Sequence, residues 1–450
     1  MALMVSVSGI RGIFGTDLTP ENLSRFTAAF GTWAGGTVVV GRDTRVTGEI
    51  CERIVIASLQ SVGCDVIRLG VVPTPTVAMA VLRHQAAGGI VISASHNPAQ
   101  WNALKLLNRA SEFLDAGQGA EVIRISEDPT RIRYVDYSRI GMVTDDTTIA
   151  DWHIERILAL PYIDADTIRR RHFAVAVDAV NGAGSLIVPR LLRRLGVDRV
   201  ETIHCTPDGR FPHNPEPLPD HLADIMAFTP NSGADLGVIT DPDADRLALC
   251  DQHGRLWGEE YTLAASLDFH LGVKAGPVAV NLSSSRIGEV VAARYGQECH
   301  RSAVGEINVV KKMQEIGAVS GGEGNGGVIN PDLHYGRDAL VGIAMILQML
   351  AERGLDAASY RATLPDFHMA KLKAELRPGL DADALLAELT HQYRSEKVST
   401  IDGVKIDFAD GWVHLRKSNT EPIIRVYAEG PSPEAALALA RPILNRILES

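Results

Sequence analysis

No stretch of this 450-residue chain runs to the roughly 18 uninterrupted apolar residues that a membrane-crossing helix needs. Cysteine is scarce as well. The five present (Cys51, Cys64, Cys205, Cys250, Cys299) are odd in number, scattered and without CxxC spacing, which argues against both a disulfide framework and a thiolate zinc centre. No basic run offsets a net charge of -11, so a nucleic-acid or anionic-membrane surface is disfavoured. Low-complexity tracts are missing too. The opening MALMVSVSGIRG has neither a basic leader nor a long apolar stretch, and with the unpaired thiols it reads as cytoplasmic.

What is present is a folded-enzyme composition, 46% hydrophobic and 22% charged, over about three ordinary domain lengths, so several cores are expected. Apolar runs alternate with helical patterns in three successive units. TVVVGRD, DVIRLG and GGIVISAS give one βαβαβ series, FAVAVDAV, DRVETIHC and ADLGVIT a second, and GPVAVNLSS, CHRSAVG and AVSGGEG a third. Crossover helices imply largely parallel sheets. The last stretch differs, with a helix over DADALLAELTHQYR, strands around GVKIDFADGWVHLRK and IIRVYAEG, and a closing helix. The expected fold class is α/β with four domains, 1–150, 151–254, 255–365 and 366–450. Three carry repeated βαβαβ units with mixed-to-parallel sheets, and the C-terminal one is α+β.

Each third strand runs into a polar loop, and open α/β sheets place ligands at such carboxyl ends. The loop SASHNPAQWNALKLLN presents Ser95 beside His96 and Asn97, with Lys105 further on. A hydroxyl there can carry a phosphoryl group, or simply cap a helix. DPDADR spaces Asp241, Asp243 and Asp245 so that three carboxylates can face one hard cation, magnesium being the natural candidate. A calcium hand is disfavoured because Arg246 and Gln252 stand where glycine and glutamate are required, and a solvated acidic turn is the other reading. RKSNTEPIIR gathers Arg416, Lys417, Ser418, Asn419, Thr420 and Arg425, the cations and hydroxyls a phosphate dianion needs, or an ordinary Asn turn. GGEGNGG offers Glu323 and Asn325 to sugar hydroxyls, or acts as a hinge. GRDTR, with Arg42, Asp43 and Arg45, reads equally as a buried ion pair in a turn.

In order along the chain, SGIRG, GRDTR, ASHNP, DPDADR, GGE and RKSNTEP resemble the α-D-phosphohexomutase superfamily. The resemblance implies a heart-shaped molecule and a phosphohexomutase that moves phosphate between O6 and O1 of a hexose through a 1,6-bisphosphate. Ser95 then matches the phosphorylated serine, and Asp241, Asp243 and Asp245 match the magnesium ligands, with Ser95 completing the set. Arg246, Lys105 and Arg11 match catalytic positions, to which His96 is joined. Glu323 and Asn325 fall at sugar-contacting positions, and Glu306 in AVGEIN falls where sugar choice is influenced. Arg416, Ser418, Asn419, Thr420 and Arg425 match the holder of the non-reacting phosphate. Glucosamine phosphate stands ahead of glucose and mannose phosphates, and hexose 1,6-bisphosphate is the expected activator. The alternative of another class is a metal-dependent sugar phosphatase. Expected partners are small sugar phosphates, not nucleic acid or membrane, and monomer and dimer both stay open.

Overall fold

The computed structural model describes residues 3–6, 9–377, 381–417 and 423–449. The first sheet is built from β1 (Met4–Ser6), β2 (Gly9–Ile13), β3 (Val38–Arg42), β4 (Val66–Val71), β5 (Gly88–Ile92), β6 (Trp101–Asn108) and β7 (Val143–Asp145), ordered β1-β2-β6-β5-β3-β4-β7. In the second, β8 (Ala174–Asp178), β9 (Arg199–Ile203), β10 (Leu236–Thr240) and β11 (Leu247–Asp251) are ordered β11-β10-β8-β9. The third repeats the plan with β12 (Val278–Asn281), β13 (Cys299–Ser302), β14 (Ser320–Glu323) and β15 (Gly327–Ile329), ordered β13-β12-β14-β15. The fourth is wholly antiparallel, with β16 (His368–Glu375), β17 (Lys397–Ser399), β18 (Val404–Phe408), β19 (Gly411–Lys417) and β20 (Ile423–Gly430) in the order β16-β20-β19-β18-β17.

The expected parallel triplets are present, as β3 pairs with β4 and β5, β8 with β9 and β10, and β12 with β13 and β14. The architecture is the mixed α/β one, because each triplet ends in a hairpin onto an antiparallel strand, β5 to β6, β10 to β11 and β14 to β15. The sequence reading left WNALKLLN inside a loop, whereas it is a buried strand throughout. Its Asn102 and Lys105 break the apolar alternation that marks a strand, and both are buried as polar groups.

Packing does not follow the sheets one for one. A single apolar cluster takes in Met79 from the first unit and runs from Ile154 through the second and third sheets to Leu364. It is filled by the helices Glu259–Val273 and Ala339–Arg353, the latter buried continuously from Ala339 to Leu350 because ALVGIAMILQML is apolar almost all round. The fourth sheet keeps its own core against the helices Ala382–Gln392 and Pro433–Glu449. No helix is long and apolar enough to cross a membrane, among the described residues.

Candidate active site

Hairpin geometry aims three short loops at one place. After β5 the chain turns sharply through Ser95, whose φ of 49° is left-handed, and re-enters the sheet as β6 without forming a helix. The helix-cap reading of Ser95 is thereby set aside. The turn is held from beneath by Arg45, which donates to the carbonyls of Ser95 (2.6 Å), Asn97 (2.6 Å), Pro98 (2.7 Å) and Trp101 (3.0 Å). Asp43 fixes that guanidinium in a 3.0 Å ion pair, so the pairing foreseen for GRDTR exists and supports the serine loop.

Ser95 is almost fully buried, and its hydroxyl donates to Asp241 Oδ2 at 2.7 Å across 146 positions of sequence. Asp241, Asp243 and Asp245 are each 0% exposed and present oxygens within 4.8 Å of one another. A solvated acidic turn does not fit that burial. Thr74 donates to Asp243, Lys105 donates to Asp243 at 2.6 Å and Asp245 at 3.1 Å, and Arg337 donates to Asp245 at 2.7 Å. Among the described residues, Asp243 Oδ1 and Asp245 Oδ1 remain buried without a hydrogen-bond partner. Orphaned buried carboxylate oxygens in an all-oxygen set fit a hard divalent cation.

Electrostatics separate the three acids. Burial, then the neighbouring Asp245 and Asp243, pushes Asp241 well above the ordinary carboxylate range. Burial works the same way on Asp245, but Arg337, Lys105 and Arg246 outweigh it and hold that acid below its usual range. Burial would discharge Lys105, and Asp243 and Asp245 overcome it and keep the ammonium. His96 sits with Nδ1 3.4 Å from the Ser95 hydroxyl, and burial beside Arg246 and Arg11 lowers it to about 2, so the ring is neutral at ordinary pH. Arg11 donates to Asn97 at 2.9 Å.

Above this floor lies a cavity of about 280 Å³ lined from all four sheets. His96 comes from the first, Glu216 and Arg246 from the second, Asn281, Ser283, Glu323 and Asn325 from the third, and Lys371, His414, Arg416, Arg425 and Tyr427 from the fourth. Arg416 and Arg425 face each other across β19 and β20, and Asp402 holds the Arg416 guanidinium at 2.8 Å. Ser418, Asn419 and Thr420 lie outside the described residues.

Glu306, expected to influence sugar choice, does not line this cavity. Its two oxygens are taken by Arg337, from Nε at 2.9 Å and the backbone N–H at 3.1 Å. A helix that starts at Glu306 turns the carboxylate inward to that cation. Arg337 itself was missed, although it bridges Asp245, Glu306 and Glu323 (3.0 Å) and so ties the acidic loop to the GGEGNGG loop. Its one local signal is the GRD triplet ahead of a helix capped by Asp338. Lys371 was missed because AKLKAE in β16 alternates apolar and polar residues as any half-solvated strand does, and nothing in that pattern marks one lysine as facing a cavity.

The family described as phosphoglucomutase/phosphomannomutase matches this chain in four parts: alpha/beta/alpha domain I over residues 3–130, domain II over 151–254, domain III over 258–367 and the C-terminal domain over 369–445. A protein of Methanopyrus kandleri named "Probable phosphoglucosamine mutase" is 35% identical, covering 98% of this chain and 96% of its own length. One of Thermococcus kodakarensis named "Phosphoglucomutase/phosphomannomutase" is 38% identical, covering 97% and 96%. Among solved structures, a phosphoglucomutase/phosphomannomutase family protein from Burkholderia thailandensis superposes with a TM-score of 0.86 at 27% identity, covering 99% of this chain and 98% of that one.

Proposed function

This chain belongs to the phosphoglucomutase/phosphomannomutase family and is a phosphohexomutase, an isomerase, and from that premise we propose that Ser95 is its phosphoryl carrier. The observation that carries the reading is the 2.7 Å contact between the Ser95 hydroxyl and Asp241, which sets a nucleophile against a cluster of buried acids. Asp241, Asp243 and Asp245 would hold a magnesium ion together with Ser95. When bound, it would neutralise charge on the transferring phosphoryl group.

The chain's own residues account for the rest. In the first half-reaction the bond between phosphorus and Ser95 Oγ breaks as a bond forms to the free hydroxyl of a bound hexose monophosphate, and the proton that hydroxyl loses ends on the Ser95 oxygen left behind. In the second, the phosphate at the other end of the resulting 1,6-bisphosphate returns to Ser95, so nothing is consumed. Lys105, Arg246 and Arg11 supply positive charge around the serine, with Lys105 already 2.6 Å from Asp243. Neutral His96 lines the cavity beside Ser95 without adding charge. At the far wall Arg416, Arg425 and Lys371 suit the phosphate that is not reacting, and Ser418, Asn419 and Thr420 belong to the same proposed phosphate loop. A phosphatase has no use for that second cationic wall. Glu323 and Asn325 face the sugar, and Glu306 acts on it only through Arg337.

Glucosamine phosphate is placed ahead of glucose and mannose phosphates. The cavity wall carries Glu216, which suits an ammonium on the sugar, and one relative's name points the same way while another's does not. Hexose 1,6-bisphosphate is the proposed activator, recharging Ser95 in a cytoplasmic enzyme. Ser95→Ala should abolish turnover while a titration still detects sugar-phosphate binding, and more than trace mutase activity would refute the role. Excess chelator should stop the reaction, and magnesium should restore it. Comparing kcat/KM for the three hexose phosphates ranks the substrate.

A further inference from the structure

Away from the cleft, Asp178 at the end of β8 meets His204, just after β9, and His213, in the segment that leads on to Glu216. The buried Asp178 Oδ2 lies 3.0 Å from His204 Nδ1 and 3.2 Å from His213 Nε2. The other nitrogen of each ring also faces an oxygen. His213 Nδ1 is 2.9 Å from the carbonyl of Asn214, and His204 Nε2 is 3.5 Å from Asp224 Oδ2.

A neutral imidazole has one N–H and one lone pair. With both rings neutral, each therefore aims a lone pair at an oxygen. With both charged, two cations sit side by side on rings only 16% and 13% exposed, their centroids 5.2 Å apart. With one ring charged, the neutral one still turns a lone pair to an oxygen; a cation between the rings and Asp178 removes that contact, because the outward nitrogens keep their protons for Asn214 and Asp224 while the inward ones become ligands. That outward bonding is what fixes the tautomer of a metal-bound histidine. The second buried histidine pair, His153 and His334 on Asp338, makes no such demand, since the partner of His153 Nδ1 is the Thr76 hydroxyl, which can donate.

We propose that Asp178, His204 and His213 form a site for one divalent cation of the zinc class. The three ligand atoms already lie within 4.8 Å of one another. Two imidazoles and one carboxylate favour zinc, whereas the three aspartates of the cleft favour magnesium, so donor chemistry sorts the two ions. The bound ion ties the segment from His204 to Glu216 to β8. Within that segment Gly209 lies against the Thr44 carbonyl, where a Cβ would come within 2.0 Å, and Phe211 stacks on Arg45 at 5.0 Å. Since Arg45 holds the serine loop, the site braces that loop from behind without touching substrate.

The test uses the full chain, stripped with chelator, returned to excess magnesium and then given zinc or cobalt(II). Elemental analysis should find one zinc retained per chain, and cobalt should give the strong visible absorption of a four-coordinate nitrogen-oxygen site. His213→Gln and Asp178→Asn should each weaken zinc binding by more than about tenfold, the loss that even outer-shell changes produce. No retained zinc in the wild type, or equal zinc in folded H213Q, overturns the proposal. Should neither variant fold, imidazole nitrogen NMR of the wild type decides. Zinc-induced shifts at His204 Nδ1 and His213 Nε2 support the site, and rings unmoved by zinc overturn it. None of these readouts depends on mutase activity.

Discussion

Arg337 gathers more of the site's buried negative charge than any residue the sequence singled out. It donates to Asp245, Glu306 and Glu323, and those three carboxylates raise its own proton affinity well above normal against the opposing effect of burial. Arg337→Met leaves buried Glu306 and Glu323 without their cation and Asp245 to Lys105 and the more distant Arg246, and should lower stability by about 3–5 kcal/mol in urea unfolding. Arg337→Lys keeps the charge but loses the fork, so its midpoint should fall between the two. A midpoint for R337M equal to wild type would remove the bridge from the account. Glu260 offers a pH test at the same scale. Burial pushes it up to about 8 from its ordinary 4.5, even though Ser285 donates a backbone N–H to it at 2.9 Å. Between those values the folded chain keeps a proton that the unfolded chain has lost, so stability should fall as pH rises from about 5 to 8. Thermal midpoints across that range should slope less in Glu260→Gln, and parallel curves would show that Glu260 is not the source.

The serine loop, the acidic loop and GGEGNGG each owe their position to the hairpin that ends a parallel triplet. At the third hairpin Gly326 has a φ of +84°, and a Cβ there would come within 2.4 Å of the Leu247 carbonyl on β11, beside the acidic loop. The turn therefore needs glycine twice over, for its conformation and for the close approach. Gly326→Ala should cost about 1–3 kcal/mol and raise KM for the sugar phosphate more than it lowers kcat, because the displaced loop carries Glu323 and Asn325. An unchanged KM would show that the loop tolerates the shift. The parallel strands and their helices were legible because β-branched runs and amphipathic spacing are local signals. The returning strands were not, since Lys105 on β6 looks like a loop residue until Asp243 and Asp245 are seen beside it.

The fourth sheet closes the cleft through a polar seat. Arg286 donates to the Gly411 carbonyl at 2.8 Å, Ser283 and His414 share a 2.9 Å hydrogen bond, and Asp402 accepts from Val304 at 3.0 Å while also holding Arg416. Polar interdomain contacts of this kind favour relative motion. Arg286→Ala should raise KM about tenfold, equivalent to ~1.4 kcal/mol of binding, with little change in the unfolding midpoint, since that sheet has its own apolar core. A large loss of stability with KM unchanged would make the contact structural. The sequence determined the reaction class through the family resemblance its motifs carry and proposed the chemical groups, because a serine loop, spaced aspartates and a basic turn are properties of neighbouring residues. Tertiary structure decided which groups meet. The 2.7 Å approach of Ser95 to Asp241, the Arg337 bridge and the inward turn of Glu306 arise from sheets packing across long stretches of chain, and no local spacing encodes a distance between residues 146 positions apart.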